Sequence, residues 1–259
     1  MHAQPTARRA LAFFLAAFAV LAGAQDKPAF EPHSGQAGKD VVWVPTPQPL
    51  VDRMLDMAKL KPRDFLMDLG SGDGRTVITA AKRGTRALGI EYNPDMVALS
   101  RRNADQAGVG ARAKFVKADL FNTDFSRATV ITMFLLPDIN VKLRPKLLQL
   151  KPGTRIVSNT FPMGDWTPDE TQTVGADAGC DASWCTALLW IVPARVAGTH
   201  ALAQGELVLR QKYQMLSGTL TRDGRAEPVR GRVRGDEVTL NAGGRTLRGR
   251  LKGGKLELG

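Results

Sequence analysis

Histidine and cysteine are scarce in this sequence, whose 259 residues include three of the first and two of the second. His2, His33 and His200 are widely separated, which leaves little material for a histidine-based metal site or catalytic triad. Aromatic side chains make up 6% of the chain, and long apolar runs are absent after residue 21. Hydrophobic residues nevertheless make up 43%, so the composition is that of a folded protein and excludes disorder, collagen and coiled coil.

The one long apolar run, residues 10–21, lies in a segment typical of an export signal. Arg8 and Arg9 precede it, and Ala22-Gly23-Ala24 follows it as a small-residue cleavage site. As a helix the run is about 18 Å long, well short of the roughly 30 Å hydrocarbon core, and an uncleaved anchor is the alternative. We therefore predict a signal peptide at residues 1–24, an exported, periplasmic protein, and no transmembrane segment after cleavage.

The two cysteines, Cys180 and Cys185, are five residues apart. Two close thiols in an oxidising compartment usually pair. The alternatives are a metal site or a redox pair, but the sequence nearby offers no further Cys or His, and the spacing is not that of thioredoxin-like motifs. The sequence predicts a structural disulfide.

Basic residues exceed acidic ones, with 36 Lys and Arg against 25 Asp and Glu and a net charge of +11. Thirteen of these cations, against six acids, follow residue 185, so the excess is concentrated in the last part of the chain. Such a surface favours acidic partners.

The chain divides into regions that differ in composition and in hydrophobic periodicity. Residues 25–40 are rich in Pro, Gly and charge and predict a flexible N-terminal tail. Strand-like runs then alternate with helical patterns. The predicted strands are at 64–69, 86–91, 113–118, 129–136, 154–159 and 185–192. The predicted helices are at 50–60, 77–81, 95–107 and 140–150. This alternation predicts an α/β domain over residues 41–195, built on a doubly wound, mostly parallel Rossmann-like sheet. Regular glycine turns predict a small basic antiparallel β-meander domain over residues 196–259.

An acidic, glycine-rich loop follows the first predicted strand, in the stretch Asp68-Leu69-Gly70-Ser71-Gly72-Asp73-Gly74. Glu91 ends the second strand, where a carboxylate accepts hydrogen bonds from ribose hydroxyls, and Asp119 follows the third. The glycine spacing is not the Gly-x-Gly-x-x-Gly of nicotinamide sites. Carboxylates there repel a pyrophosphate but suit the amino group and sulfonium of S-adenosylmethionine, which is the predicted cofactor.

With these motifs the sequence resembles the class I S-adenosylmethionine-dependent methyltransferases. Within them it is similar to the lysine methyltransferases of the ATP synthase c subunit and the adenine nucleotide translocase and their bacterial relatives. The resemblance rests on residues 43–46, 68–75, 91–94, 134–137 and 153–162. It implies cofactor contacts at the ends of the first three strands: Asp68, Gly70, Ser71, Gly72, Asp73, Gly74, Glu91, Tyr92, Asn93, Asp119 and Leu120.

The resemblance also implies that Phe134 and Pro137 face the methyl acceptor. Asp138, Asn140 and Asn159 are polar candidates for a catalytic role there, and each has an alternative role as a helix cap or turn residue. Trp43 and Thr46 are candidates for a lid over the acceptor, with a plain core role as the alternative for the tryptophan.

The sequence therefore predicts an exported methyltransferase that acts on an amine such as a protein lysine by in-line displacement. The alternatives are a small-molecule methyltransferase and a non-catalytic nucleoside-binding or envelope-interaction protein. We expect an acidic protein or a small molecule as the acceptor, and not nucleic acid. The sequence leaves open the oligomeric state and the number of methyl groups added.

Overall fold

A computed structural model describes residues 1–2, 30–203 and 205–258 of the chain. Residues 3–24 of the predicted signal peptide and residues 25–29 of the predicted tail therefore lie outside the described residues. All the elements named below belong to the compact unit that begins at Glu31. In the described part of the chain, no helix has both the length and the apolar character needed to span a bilayer.

Seven strands form the first sheet: β1 (Phe65–Leu69), β2 (Arg86–Glu91), β3 (Ala113–Lys117), β4 (Val130–Met133), β5 (Arg155–Asn159), β6 (Glu170–Thr173) and β7 (Thr186–Ile191). Their order is β3-β2-β1-β4-β5-β7-β6, with β1 to β5 parallel and β7 antiparallel to both neighbours. This is the predicted doubly wound, mostly parallel arrangement. The strand order reverses between β1 and β4, which is where such sheets open a ligand crevice.

In the described part of the chain, four α-helices flank this sheet: α1 (Gln48–Met57), α2 (Arg75–Lys82), α3 (Pro94–Gln106) and α4 (Pro137–Leu147). Asn93 caps α3, since its side-chain oxygen accepts from the backbone N–H of Asp95 at 2.9 Å. Helix α4 begins three residues before the predicted start at 140, because a proline suits the first helical position. Strand β6 is not predicted by the sequence pattern, because its four residues are all polar and give no apolar signal.

Apolar cores lie on both faces of the first sheet, as a parallel sheet requires. One contains Leu50 and Leu55 of α1, and the other contains Leu143 of α4 with the fully buried Trp166 and Trp190. These layers fix the carboxyl ends of β1, β2 and β4 at one edge.

The last seven strands form an antiparallel meander with neighbours in chain order: β8 (Gly198–Leu202), β9 (Gly205–Lys212), β10 (Met215–Arg222), β11 (Arg225–Arg234), β12 (Glu237–Ala242), β13 (Arg245–Lys252) and β14 (Lys255–Leu258). Val229 and Val233 of β11 are buried, while Arg230, Arg232 and Arg234 alternate with them. The arginines thus share one face of the strand, as expected from strand geometry.

The meander packs against the segment that follows β5. Tyr213 stacks on the buried Trp166 with ring centroids 5.8 Å apart. Arg232 pairs with the carboxylate of Asp169, whose side chain is 1% exposed and which also accepts from the backbone N–H of Ile191 at 2.8 Å. The meander therefore covers part of the core under the first sheet and contributes to its stability.

Candidate active site

A cavity of about 650 Å³ lies at the edge where the order of the first sheet reverses. It is lined by residues 36–46, by the loop after β1 and by residues that follow β2, β3 and β4. Among the predicted cofactor contacts, Gly74 does not line it, while ten do: Asp68, Gly70, Ser71, Gly72, Asp73, Glu91, Tyr92, Asn93, Asp119 and Leu120. The fold therefore brings ten of the eleven residues together around one cavity.

The loop after β1 needs glycine for its backbone shape. Gly70, Gly72 and Gly74 have φ values of 75°, 53° and 85°, a region that other residues rarely adopt. A Cβ on Gly72 would lie 2.5 Å from Nε1 of Trp43. Trp43 therefore packs on the glycine loop where it lines the cavity, and its role as a lid stays a prediction.

Asp68, the penultimate residue of β1, has a buried carboxylate, 6% exposed, that accepts a 2.7 Å hydrogen bond from the Thr132 hydroxyl. Burial raises the pKa of Asp68 to about 7, and the nearby carboxylates of Asp73 and Glu91 also raise it. A cation bound beside Asp68 would favour its ionised form.

Glu91 is held by two backbone groups. The N–H of Gly72 donates to Oε2 at 3.0 Å, and the N–H of Asn93 donates to Oε1 at 2.9 Å. Each carboxylate oxygen accepts more than one hydrogen bond, so both keep capacity for ligand hydroxyls. The side chain is thereby oriented before any ligand binds.

Asp73 and Asp119 already have cationic partners in the described residues. Arg75 donates to Asp73 through Nε at 3.0 Å and Nη2 at 2.6 Å. Lys39 donates to Oδ2 of Asp119 at 2.7 Å, which lowers the pKa of that carboxyl. The acidic character that the sequence assigned to four carboxylates therefore rests mainly on Asp68 and Glu91.

Lys39 belongs to a segment, residues 35–43, that the sequence analysis assigned largely to a flexible tail. The backbone N–H of Trp43 donates to Gln36 at 2.9 Å, and that of Gly35 donates to Trp43 at 2.8 Å. The structure folds this segment into a turn that forms one wall of the cavity. Pattern alone missed it because its polar residues show no periodicity.

The other end of the cavity is apolar. Phe134, Leu135, Leu136 and Ile139 line it around the end of β4 and the start of α4, with Phe161 beside them. Phe134 therefore lines the cavity, and its contact with the methyl acceptor stays a prediction.

The other predicted acceptor residues lie elsewhere. Pro137 and Asp138 are exposed in the first turn of α4 and do not line the cavity. Asn140 is fully buried and donates to the carbonyl oxygens of Phe161 at 3.1 Å and Pro162 at 3.3 Å. The geometry thus gives Asn140 a structural part in holding the turn after β5, and it gives Asp138 no contact with the cavity.

Asn159, the remaining polar candidate, ends β5 as a buried residue. Its side-chain amide donates to the hydroxyl of Thr46 at 3.3 Å, and its side-chain oxygen accepts from the Thr160 hydroxyl at 2.9 Å. These contacts connect the cavity wall at Thr46 to the turn that carries Phe161.

Phe161 and Trp184 are cavity residues to which sequence reasoning gave no role. Phe161 follows Thr160, whose φ of 57° is unusual for a β-branched residue and turns the chain after β5. Trp184 lies in the loop between Cys180 and Cys185, which form a disulfide bond. A single tryptophan in a loop of polar residues gives no pattern that predicts its direction.

Residues 68–170 match a family model described as the ANTKMT methyltransferase domain. A protein-lysine N-methyltransferase from Saccharolobus islandicus is 47% identical over 133 residues, which cover 50% of this chain and 83% of that protein. This chain belongs to the ANTKMT methyltransferase-domain family. It is an S-adenosylmethionine-dependent methyltransferase, and the comparisons give the non-catalytic alternatives no support.

Two other similarities extend the comparison. The mouse lysine N-methyltransferase of the ATP synthase c subunit is 40% identical over 136 residues, 52% of this chain and 55% of that protein. The crystal structure of an RNA methyltransferase from Salinibacter ruber in complex with S-adenosyl-L-homocysteine is 48% identical, with a TM-score of 0.54, over 59% of this chain and 96% of that chain. The chain therefore spans only about half the length of the mouse protein.

The residues of this family member fit its cofactor. The carboxylates of Asp68 and Glu91 line the cavity and can accept hydrogen bonds from an amino group and from ribose hydroxyls, respectively. A polar, cationic nucleoside would satisfy these two acceptors.

We expect cofactor affinity to depend on pH through Asp68. With a pKa of about 7 in the free protein, Asp68 must release a proton before it pairs with a cationic amino group. Affinity for S-adenosylhomocysteine should therefore decrease as the pH drops below that pKa, with a slope that approaches tenfold per pH unit. A carboxyl with its ordinary pKa of 3.8 would leave the affinity unchanged over the same pH range. Calorimetry between about pH 5.5 and about pH 7.5 measures this, below the titration of the ligand's own amino group.

The control is Asp68→Asn, which cannot titrate. It should bind more weakly than the parent protein and with a flat pH profile. A flat profile for the unmodified protein would contradict the assignment of Asp68 to the amino group.

Proposed function

We propose that this enzyme transfers the methyl group of S-adenosylmethionine to the side-chain amine of a protein lysine. The observation that carries the proposal is the continuity of one cavity from the carboxylates of Asp68 and Glu91 to an apolar end lined by Phe134, Leu136 and Phe161. A slender alkyl amine fits such an end, because its methylene groups contact the apolar wall while its nitrogen approaches the cofactor. The names of the Saccharolobus islandicus and mouse relatives support a lysine acceptor.

Positioning supplies most of the catalysis in this reaction. The cofactor supplies a methyl group on a positively charged sulfur, so the S–C bond breaks as the amine forms its N–C bond. The amine must be neutral at that moment, and the wall formed by the buried Leu135 and Ile139 favours the neutral form by excluding water. The displaced proton leaves to solvent, and no strong acid–base pair is needed.

An RNA acceptor is the second candidate. The name of the Salinibacter ruber structure favours it, as does the arginine face of the meander, where Arg230 and Arg234 are exposed. The apolar end of the cavity argues against it, because that wall offers few groups that would hydrogen-bond the edge of a base.

Methylation with radiolabelled donor distinguishes these acceptors. We expect label in the ATP synthase c subunit, the acceptor named for the mouse relative, and no label when its lysines are changed to arginine. Total RNA and free small amines are the other arms. Label confined to RNA would establish the second candidate, and label confined to free amines would establish a small-molecule methyltransferase.

We also propose that the protein acts outside the cytoplasm, as its N-terminal sequence predicts. The bond between Cys180 and Cys185 supports this location, because such bonds persist in oxidising compartments. Alkylation of freshly fractionated cells, followed by mass spectrometry, should find both cysteines oxidised in the envelope fraction. Free thiols in a cytosolic fraction would contradict it.

A further inference from the structure

Three aromatic rings converge at the apolar end of the cavity. Phe134 and Phe161 stack with centroids 5.9 Å apart and planes inclined by 18°. Trp184 is tilted against both, at 6.2 Å from Phe134 and 5.4 Å from Phe161. All three side chains are partly exposed and line the cavity. We refer to these three rings as the aromatic platform.

Trp184 reaches the platform from a loop held at both ends. Cys180 and Cys185 are bonded to each other and are 3% and 6% exposed within the core that α1 contributes to. The backbone N–H of Val174 donates to the carbonyl of Cys185 at 2.9 Å, which attaches the loop to the end of β6. Trp184 directly precedes Cys185, so the disulfide restricts where its ring can lie. The matched family region ends at residue 170, before this loop.

An aromatic platform of this size suits an alkylammonium group. A cation is attracted to the face of an aromatic ring within about 6 Å of its centroid, most strongly for tryptophan. Because the three rings pack against one another and all line the cavity, an ammonium on the exposed face of one ring lies near the other two. Methylation keeps the charge of a lysine and reduces its hydration, so the attraction persists through successive products.

We propose that the platform is the subsite for the ammonium end of the acceptor, with Trp184 as a specificity-determining residue that the Cys180–Cys185 disulfide holds in place. This rests on the proposed lysine methyltransferase function. The platform captures the cationic acceptor and retains its methylated product, while transfer itself uses the neutral amine. Trp184 therefore governs acceptor affinity and the number of methyl groups added in one encounter.

The first experiment measures binding without turnover. Choline and its neutral isostere 3,3-dimethyl-1-butanol are titrated into the full-length protein saturated with S-adenosylhomocysteine, with calorimetry as the readout. We expect choline to bind and the isostere to bind much more weakly, and Trp184→Ala to lose about 3- to 30-fold in choline affinity. Trp184→Phe should retain most of it. The matched control is Ser183→Ala, an exposed neighbour in the same loop, which should leave choline affinity unchanged.

The disulfide is tested with the same titration. Cys180→Ser/Cys185→Ser, and the parent protein after reduction, should resemble Trp184→Ala in choline binding while keeping their affinity for S-adenosylhomocysteine. That retained affinity shows that the fold is intact. Equal binding of choline and the isostere, or unchanged choline binding in Trp184→Ala, would overturn the platform.

A second experiment separates this proposal from the function on which it rests. With a lysine acceptor, Trp184→Ala should raise KM more than it lowers kcat and shift products from trimethyl toward monomethyl lysine by mass spectrometry. An unchanged KM and product distribution would overturn the platform while leaving lysine methylation established. Selective choline binding without methylation of any lysine acceptor would instead overturn the proposed function.

Discussion

Glu91→Gln is expected to weaken cofactor binding almost as much as Glu91→Ala, by about 1.5–3 kcal/mol or roughly 10- to 150-fold in Kd. Glu91 accepts a backbone N–H on each carboxylate oxygen, from Gly72 on one and from Asn93 on the other. A glutamine must point its own N–H₂ at one of these donors. The glutamine therefore loses one backbone hydrogen bond and places its N–H₂ against a backbone N–H, which is also a donor. Its remaining oxygen is no longer oriented toward a ribose hydroxyl. Calorimetry with S-adenosylmethionine measures the loss.

Glu257→Gln is the matched control, since it makes the same chemical change on the exposed β14 of the meander. Its cofactor affinity should equal that of the parent protein. If Glu91→Gln bound the cofactor as tightly as the parent, the two backbone contacts would not be what positions this side chain.

Trp190→Ala is expected to reduce the free energy of unfolding by about 3–5 kcal/mol, because it removes a large, fully buried side chain and leaves a cavity. The Trp190 ring packs on Trp166 with centroids 6.2 Å apart, and its N–H donates to the Trp166 carbonyl at 2.7 Å. Trp166 in turn stacks on Tyr213, so the substitution should also weaken the packing of the meander on this core. Urea unfolding followed by circular dichroism checks the prediction.

Val208→Ala provides the comparison, since Val208 is 40% exposed on β9 and its truncation should change stability by no more than about 0.5 kcal/mol. Saturating S-adenosylhomocysteine should raise the midpoint of both variants, because a ligand that binds only the folded state stabilises it. A loss below about 1 kcal/mol for Trp190→Ala would contradict close packing at this position.

The alternation of strands and helices along the chain was predictable from the sequence. The core strands of the first sheet are nearly continuous apolar runs separated by amphipathic helices, and buried parallel strands produce that pattern. Strand β6 was missed because Glu170–Thr173 carries no apolar residue. The predicted start of α4 at residue 140 is three residues late, because apolar periodicity alone does not mark Pro137 as the first helical residue.

The cofactor end of the site was predictable for a related reason. Its residues follow successive strands, and the carboxyl ends of parallel strands meet at one edge of the sheet, so Asp68, Glu91 and Asp119 were placed together without coordinates. The ion pairs were not predictable. Lys39 is 80 residues from Asp119 in the chain, and no local pattern indicates that pairing.

The sequence by itself determined the doubly wound sheet, the acidic glycine loop and the family resemblance, because each depends on residues close together along the chain. Only the tertiary structure decided which carboxylates lack a cationic partner among the described residues, since burial and distant side chains set the pKa of Asp68 and pair Asp73 and Asp119. It also decided the acceptor end, where Phe134, Phe161 and Trp184 come from three separate segments. Contacts between segments distant in the chain depend on how the layers pack, and local sequence patterns do not encode that packing.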